Sequence, residues 1–526
     1  MRNGLADQPV ALITRFVPFT SVQGLRVTEL GHEVSPPAGQ RATEGGSPVY
    51  HARAQAVQSA ILSAVMPCVV GLPPRRPGRF LHGPAAAVHL RLACVGCYAL
   101  RCFANLDRRS IGYFESTLTT SGKRGHSMAS NGIRDRVAIV GMGCTPFGEH
   151  WDKSASDLLV DAAGEALTSA GIELGHVDAF WLGTLFSGQS GLTLSRPLKI
   201  DYKPVSRLEN YCATGSEAFR NACYAVASGA YDVAMAIGVE KLKDSGFSGL
   251  PNTRSAGDGT AAAMTAPAMF SLLAPAYAKK YGIEADQLKA VMTRIAWKNH
   301  RNGALNPRAQ FRKEVPKETI ACSPLVAGPL GIFDCSGVSD GSAAAIIVRA
   351  EDARRYTDKP LYVKALSFVA GPAAGPIDPD YDYTTFPEVI ASAADAYAQA
   401  GIKDARQELA MAEVHDCFTP TELVLMEDLG FSARGTAWKD VLAGTFDLDG
   451  ELAVNPDGGL KSFGHPIGAS GLRMLFECWL QLRGEAGKRQ IASVDRGRTL
   501  ALTHNLGGAP GECVSFVGVV GAEPTA

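Results

Sequence analysis

Gly458-Gly459-Leu460-Lys461-Ser462-Phe463-Gly464-His465-Pro466-Ile467-Gly468-Ala469-Ser470-Gly471 sets one histidine among five glycines. Glycine at this density permits close backbone approach and positive φ angles. His465 stands at a turn that opens a helix, where its imidazole can project into a site and take a thiol proton. Upstream, Cys212-Ala213-Thr214-Gly215 opens an alanine-rich helix in the same manner. Two such openings in one chain suggest two copies of one unit.

The flanking sequence agrees. Residues 137–143 (Val-Ala-Ile-Val-Gly-Met-Gly) read as a buried strand with a glycine turn. From Ser156 to Ala170 the apolar residues Leu159, Ala162, Ala163, Ala166 and Leu167 recur at helical spacing, and Gly171 closes the helix. Residues 361–366 and 389–400 repeat the pattern, ending at Gly401. Asp178-Ala179-Phe180-Trp181-Leu182-Gly183 follows the first unit and Glu413-Val414-His415-Asp416-Cys417-Phe418 the second. Further strands at 232–238 and 499–503 complete each half. The expected fold is a duplicated α/β core with helices on mixed sheets. The expected boundaries are 128–350 and 351–526, with a stretch at about 241–325 that lacks this rhythm. That stretch holds a helix near 285–298 and many basic residues.

Composition excludes other classes. The chain has 526 residues, a net charge of −1 and 46% hydrophobic residues, which is ordinary for a globular protein of more than one domain. Neither the charge nor any basic tract suggests nucleic acid, and no apolar run is long enough for a membrane span. The twelve cysteines are scattered, as in a reducing compartment. Cys94, Cys97 and Cys102 lack a second pair at metal-site spacing, so no metal is expected. Gly141-Met142-Gly143 lacks the third glycine and later acid of a dinucleotide site. Residues 1–127 are rich in Arg, Pro, Ala and Gly, with a breaker at Pro73-Pro74-Arg75-Arg76-Pro77. Disorder is expected there, with translation starting at Met128.

Four elements carry chemistry. Cys212 at a helix start would meet unpaired N–H groups and a dipole that lower a thiol pKa and hold an oxyanion. His465 is the base in the glycine frame. In His415-Asp416-Cys417-Phe418, strand alternation points His415 and Cys417 to one face. His504-Asn505-Leu506-Gly507-Gly508-Ala509-Pro510-Gly511 reads as a glycine-rich loop after a strand, whose N–H groups can bind negative charge.

Together these motifs resemble the thiolase superfamily, specifically its sterol carrier protein-type branch, over roughly residues 134 to 522. The Gly-His-Pro-Ile-Gly-Ala-Ser-Gly run marks thiolases, and His-Asp-Cys-Phe marks the branch. Ala296-Trp297-Lys298-Asn299-His300 and Cys335-Ser336-Gly337-Val338-Ser339-Asp340-Gly341 are similar to that branch too. The resemblance implies a layered α/β/α/β/α thiolase-like fold with a loop domain between the halves. It also implies acyl-CoA C-acyltransfer: Cys212 becomes acylated, His465 activates it, and coenzyme A is a substrate, with no cofactor. Asn505 stands where better-known thiolases keep a second catalytic Cys, so Cys417 takes that part. His415 would orient a water in one oxyanion hole, and the N–H groups of Cys212 and Gly507 would form the other.

Lys298, His300 and Arg301 are expected to bind substrate. Arg294, Arg308, Arg312 and Lys313 are further candidates for the phosphates of coenzyme A. The resemblance implies a homodimer or tetramer and admits a small OB-fold partner. Two rival readings remain. One is a retro-aldol or condensing relative acting on acyl-CoA side chains with that partner. The other is a non-catalytic lipid- or acyl-CoA-binding protein, against which stands the lack of room for a sterol carrier domain beyond residue 522. The C-terminus carries no peroxisomal address, so a cytoplasmic setting is expected.

Overall fold

The computed structural model describes residues 130–525 except 245–264, 374, 376 and 496. The segment 1–127, with Cys94, Cys97 and Cys102, and the expected start at Met128 lie outside the described residues. In the first half, β1 (Val137–Cys144), α1 (Ala155–Ala170), β2 (Ala179–Gly183), β3 (Val205–Leu208), α2 (Thr214–Ala227) and β4 (Val233–Glu240) follow one another. Helices Ala266–Phe270 and Leu273–Tyr281 then lead to α3 (Ala285–Ala304) and a ribbon of β5 (Leu325–Ala327) and β6 (Leu330–Gly331). β7 (Gly341–Arg349) returns to the first half. The second half holds β8 (Leu361–Ala370), α4 (Pro387–Ala400), β9 (Leu409–Glu413), α5 (Thr419–Asp428), β10 (Ala453–Val454), α6 (Ser470–Leu482), β11 (Leu500–Ala509) and β12 (Glu512–Gly521).

Local chemistry sets the helix ends. Ser154 and Asp157 form a reciprocal capping box at the start of α1, satisfying two backbone donors that a helix start leaves free. Gly171 ends α1 at φ 67° and Gly401 ends α4 at φ 75°, left-handed positions that favour glycine.

The ten-stranded sheet runs β10-β9-β11-β12-β8-β1-β7-β4-β2-β3. Outward from its centre the halves match strand for strand: β1-β7-β4-β2-β3 and β8-β12-β11-β9-β10. The sense of pairing repeats as well, with two antiparallel pairs and then two parallel pairs in each half. Within the sheet, β1 and β8 pair across the halves through Ala138↔Tyr362 and Ile139↔Leu361.

Helices α2 and α6 pack on each other, and α6 touches β7, β1 and β4 of the first half as well as β11 and β9 of its own. They form the middle of five layers, with α1 and α4 outside. Alternation along β1 serves two cores. Val137 and Ile139 join a cluster with Phe219, Leu472 and Phe476, whereas Ala138 and Val140 pack with Leu159 and Ala162. No helix among the described residues is long and apolar enough to cross a membrane.

Three expectations shift. Each half holds five strands where the repeat gives three: the short β3 and β10 are added, and so are β7 and β12. Their unbroken apolar runs, such as Ala343 to Val348, are what a strand buried on both faces shows. The stretch 504–509, read as a loop, is the second half of β11 and pairs with β12 through Ala509↔Glu512. β9 ends at Glu413, so His415-Asp416-Cys417-Phe418 is the connection into α5 and not a strand.

Candidate active site

A cavity of about 370 Å³ is lined by Cys212, His415, Cys417, His465 and Gly507. The rest of its wall is largely apolar, with Phe186, Met269, Phe270, Phe418 and Ile467 among the side chains. Four sequence motifs and both halves of the sheet thus meet at one place.

Cys212 sits between β3 and α2. Tyr211 holds φ 48°, and the turn is tied by Ala213 N–H to Asn210 O (3.1 Å) and by the Thr214 hydroxyl donating to Tyr211 O (2.6 Å). Gly507 makes room for that turn, since a Cβ there would lie 2.5 Å from Asn210 O. α2 begins two residues after Cys212, with Ala213 as its cap. The expected lowering of the thiol pKa is not what the structure gives. Cys212 is half-buried in the cavity wall, and burial, reinforced by the charges of Glu209 and Glu240, pushes its thiol up to about 12. Desolvation outweighs the helix dipole here.

His465 follows Gly464, whose φ of 118° turns the chain. Its N–H donates to Ser339 Oγ (3.0 Å), and Nδ1 lies 2.7 Å from Ser470 Oγ. Ser470 gives its single proton to Pro466 O at 3.0 Å. Nδ1–H is therefore the donor to Ser470, which leaves Nε2 with a free lone pair and no partner among the described residues. Burial, with the nearby Arg473 cation, lowers the imidazole to about 3, so it is neutral and able to accept a proton. Burial together with His465, His504 and Arg473 drives His415 well below its usual value. The two rings stand edge to face, 5.4 Å apart.

The donor atoms of Cys212, His415 and His465 all lie within 4.8 Å of one another. Such a trio is also close enough to hold a soft divalent ion, as Cys and His donors do. Cys417, whose Sγ is 3.7 Å from Thr421 Oγ1, is pushed well above its usual range, first by burial and then by proximity to Cys212. His415 and Cys417 reach the cavity together although they lie beyond β9. Asp416 between them turns away and accepts from the N–H groups of Leu460 (2.7 Å) and Lys461 (3.2 Å).

Lys298, His300 and Arg301 do not line the cavity. Lys298 is buried, its Nζ 2.7 Å from Glu422 Oε1 and 2.8 Å from Val454 O. His300 packs against Phe311 and Phe333, and burial lowers it to about 3. Arg301 lies over Trp297. Arg294 pairs with Asp447, and Arg308 with Glu165. A basic residue on an amphipathic helix reads as a surface charge unless its acidic partner, distant in sequence, is known. Asn505, whose Oδ1 accepts from Ser216 at 2.5 Å, is absent from the cavity wall. Ser339 and Ser470 orient His465 and were not singled out from sequence. Ser470 stands five residues after His465, one helical turn into the glycine frame, and that spacing was the available signal.

The sequence model of the thiolase N-terminal domain matches residues 137–324, and that described as "Thiolase C-terminal domain-like" matches 377–517. An acetyl-CoA acetyltransferase of Methanothermobacter thermautotrophicus is 37% identical over 72% of this chain and 98% of its own length. Human sterol carrier protein 2 is 31% identical over 71% of this chain and 70% of that protein. Among solved structures, an Ltp2-ChsH2(DUF35) aldolase superposes with a TM-score of 0.63 at 24% identity, covering 75% of this chain and all of that one. A monomeric SCP2-thiolase-like protein of Mycobacterium smegmatis gives 0.57 at 17% identity, over 74% of this chain and 78% of that one. These two share the fold. With both domain models matched and the acetyltransferase relative covered almost end to end, the chain belongs to the thiolase family.

Proposed function

We propose that the protein is an acyl-CoA C-acyltransferase, which cleaves 3-ketoacyl thioesters with coenzyme A or runs the reverse condensation. The observation that carries this reading is the convergence of Cys212, His415 and His465 within 4.8 Å, with Cys417 on the same cavity wall. In the degradative direction Cys212 Sγ attacks the 3-keto carbonyl while its proton passes to His465 Nε2. The C2–C3 bond then breaks, and the departing enolate is held by His465 and a water oriented by His415. Cys417 protonates the enolate at C2. Cys417 next takes the thiol proton of coenzyme A, whose thiolate attacks the acyl-Cys212 thioester and restores the Cys212 thiol through His465. A thioester suits this because its α-proton is acidic enough for a modest base. The N–H groups of Cys212 and Gly507 would hold the tetrahedral oxyanion. Coenzyme A enters as substrate, the acting form is a homodimer or tetramer, and the setting is cytoplasmic.

The relative named acetyl-CoA acetyltransferase supports this reading. The retro-aldol reading has a fold neighbour in the Ltp2-ChsH2(DUF35) aldolase; under that reading a small OB-fold partner would be expected. A lyase of that kind has no use for an acylated cysteine beside a second thiol. Cys212→Ala should lower thiolysis of 3-ketoacyl-CoA by at least about a thousandfold, as losing a covalent nucleophile does. Retained thiolysis would end the proposal. Product released from a 3-hydroxyacyl thioester without free coenzyme A would favour the lyase, and no turnover with tight acyl-CoA binding would favour the lipid carrier.

A further inference from the structure

Behind the cavity lies a set of buried polar groups that the chemistry above does not use. Asn299 of α3 is fully buried and divides its two amide protons between two carboxylates, Asp416 Oδ2 at 2.8 Å and Glu422 Oε2 at 2.7 Å. In the chain these carboxylates stand on either side of Cys417. Lys298 occupies the second Glu422 oxygen at 2.7 Å. Asn455 donates to Glu422 Oε2 at 3.2 Å and accepts the N–H of Val414, the residue before His415, at 2.8 Å. Asp416 in turn holds the N–H groups of Leu460 and Lys461, at the start of the segment that ends in His465.

Two carboxylates brought together out of water repel, and each keeps its place only while donors satisfy it. A neutral amide with two protons in fixed directions meets that need without adding charge. Without Asn299, Lys298 and Asn455 would still serve Glu422, and Asp416 would be left to the backbone. One amide therefore fixes the residues before and after Cys417, and one carboxylate ties that segment to the frame of His465.

We propose that Asn299 is a positioning residue for the reaction, holding Cys417 in place through Asp416 and Glu422, and that Asp416 sets the separation of Cys417 from His465. The proposal rests on the acyltransferase reading, in which Cys417 is the base at the α-carbon. The reaction can be divided. In acylation of Cys212 by an acyl-CoA, Cys417 has only to return a proton to coenzyme A, whose thiolate is already a stable leaving group, whereas condensation needs Cys417 as the base at the α-carbon of the acceptor, a far weaker acid.

Asn299→Leu keeps the shape and removes both donors. It should leave acyl-Cys212 formation, read by intact-protein mass after mixing with acetyl-CoA, within about threefold of the unmodified protein. Condensation should fall at least about tenfold, as loss of one charge-assisted hydrogen bond would produce, with KM for acetyl-CoA within about twofold. Asn299→Ser, smaller and still a donor, should show the same pattern at lower amplitude if leucine is not tolerated. Asp416→Asn touches both segments and should slow both steps. Parallel loss of both steps in the Asn299 variants, tracking melting temperature, would reduce Asn299 to a structural residue and overturn the proposal, as would undiminished condensation. Absence of any acyl-Cys212 in the unmodified protein would instead remove the acyltransferase reading, and this proposal with it.

Discussion

Tyr211 carries a left-handed backbone at φ 48°, a conformation that costs a residue with a Cβ about 1–3 kcal/mol and is retained where the surroundings demand it. The reward is the exposure of Cys212 to the cavity at the end of β3. The thiol it presents is protonated at rest, because burial and two nearby acids push it up to about 12 while the His465 beside it is lowered to about 3. Both shifts oppose a preformed thiolate–imidazolium pair, so in the proposed mechanism the proton moves to Nε2 as the sulfur attacks. The sign of the first shift is testable. A thiol with a raised pKa gains thiolate as pH rises, so alkylation of Cys212 by iodoacetamide should climb about tenfold per unit from roughly pH 7 to 10. A plateau at or below pH 8, read from the modified Cys212 peptide, would mean that an ion pair already exists. The proposed nucleophile and base, Cys212 and His465, were legible as residue types in glycine-marked turns. Their protonation states were not, since desolvation depends on what the rest of the chain packs around them.

Among the elements, α3 departs furthest from its sequence reading. Its Lys and Arg residues suggested phosphate contacts, yet Lys298, Asn299, His300, Asn302 and Gly303 are all buried. The pattern was available in part: Leu288, Met292, Ile295, Asn299 and Asn302 recur every three to four residues, so the polar residues continue the apolar stripe. What the spacing could not supply was Glu422, which waits in α5 for Lys298. Lys298→Met should leave that carboxylate buried without its cation and cost about 3–5 kcal/mol of stability. The check is chemical unfolding alongside KM for coenzyme A. A lower midpoint with unchanged KM is expected, and a raised KM with unchanged stability would return Lys298 to the phosphates. β11 teaches the same lesson. Asn505, Leu506 and two glycines read as a loop because glycine weakens strand propensity. Yet β12 pairs with the whole segment, and Gly507 is small because Asn210 O, in the turn that carries Cys212, comes within 2.5 Å of where its Cβ would be.

At the scale of the molecule, the two halves place their helix openings against each other, so that a cysteine from one and histidines from the other share a cavity. Among the described residues, every strand pair of the ten-stranded sheet is drawn from residue 137 onward. A chain beginning at Met128 should therefore keep its thiolysis rate and melting temperature. Loss of either, measured against the full chain side by side, would give residues 1–127 a part in the fold. The duplicated α/β architecture, the motif residues Cys212, His415, Cys417 and His465, and the thiolase resemblance were determined by sequence alone, because periodicity, glycine turns and helix ends are written locally. The tertiary structure alone decided the identity of the four missing strands, the neutral state of Cys212 and His465, and the use of Lys298 and Asn299 as supports behind the site. These depend on burial and on partners far apart in the chain, such as Asn299 with Asp416 and Lys298 with Glu422, and no local pattern encodes which distant carboxylate a buried donor will meet.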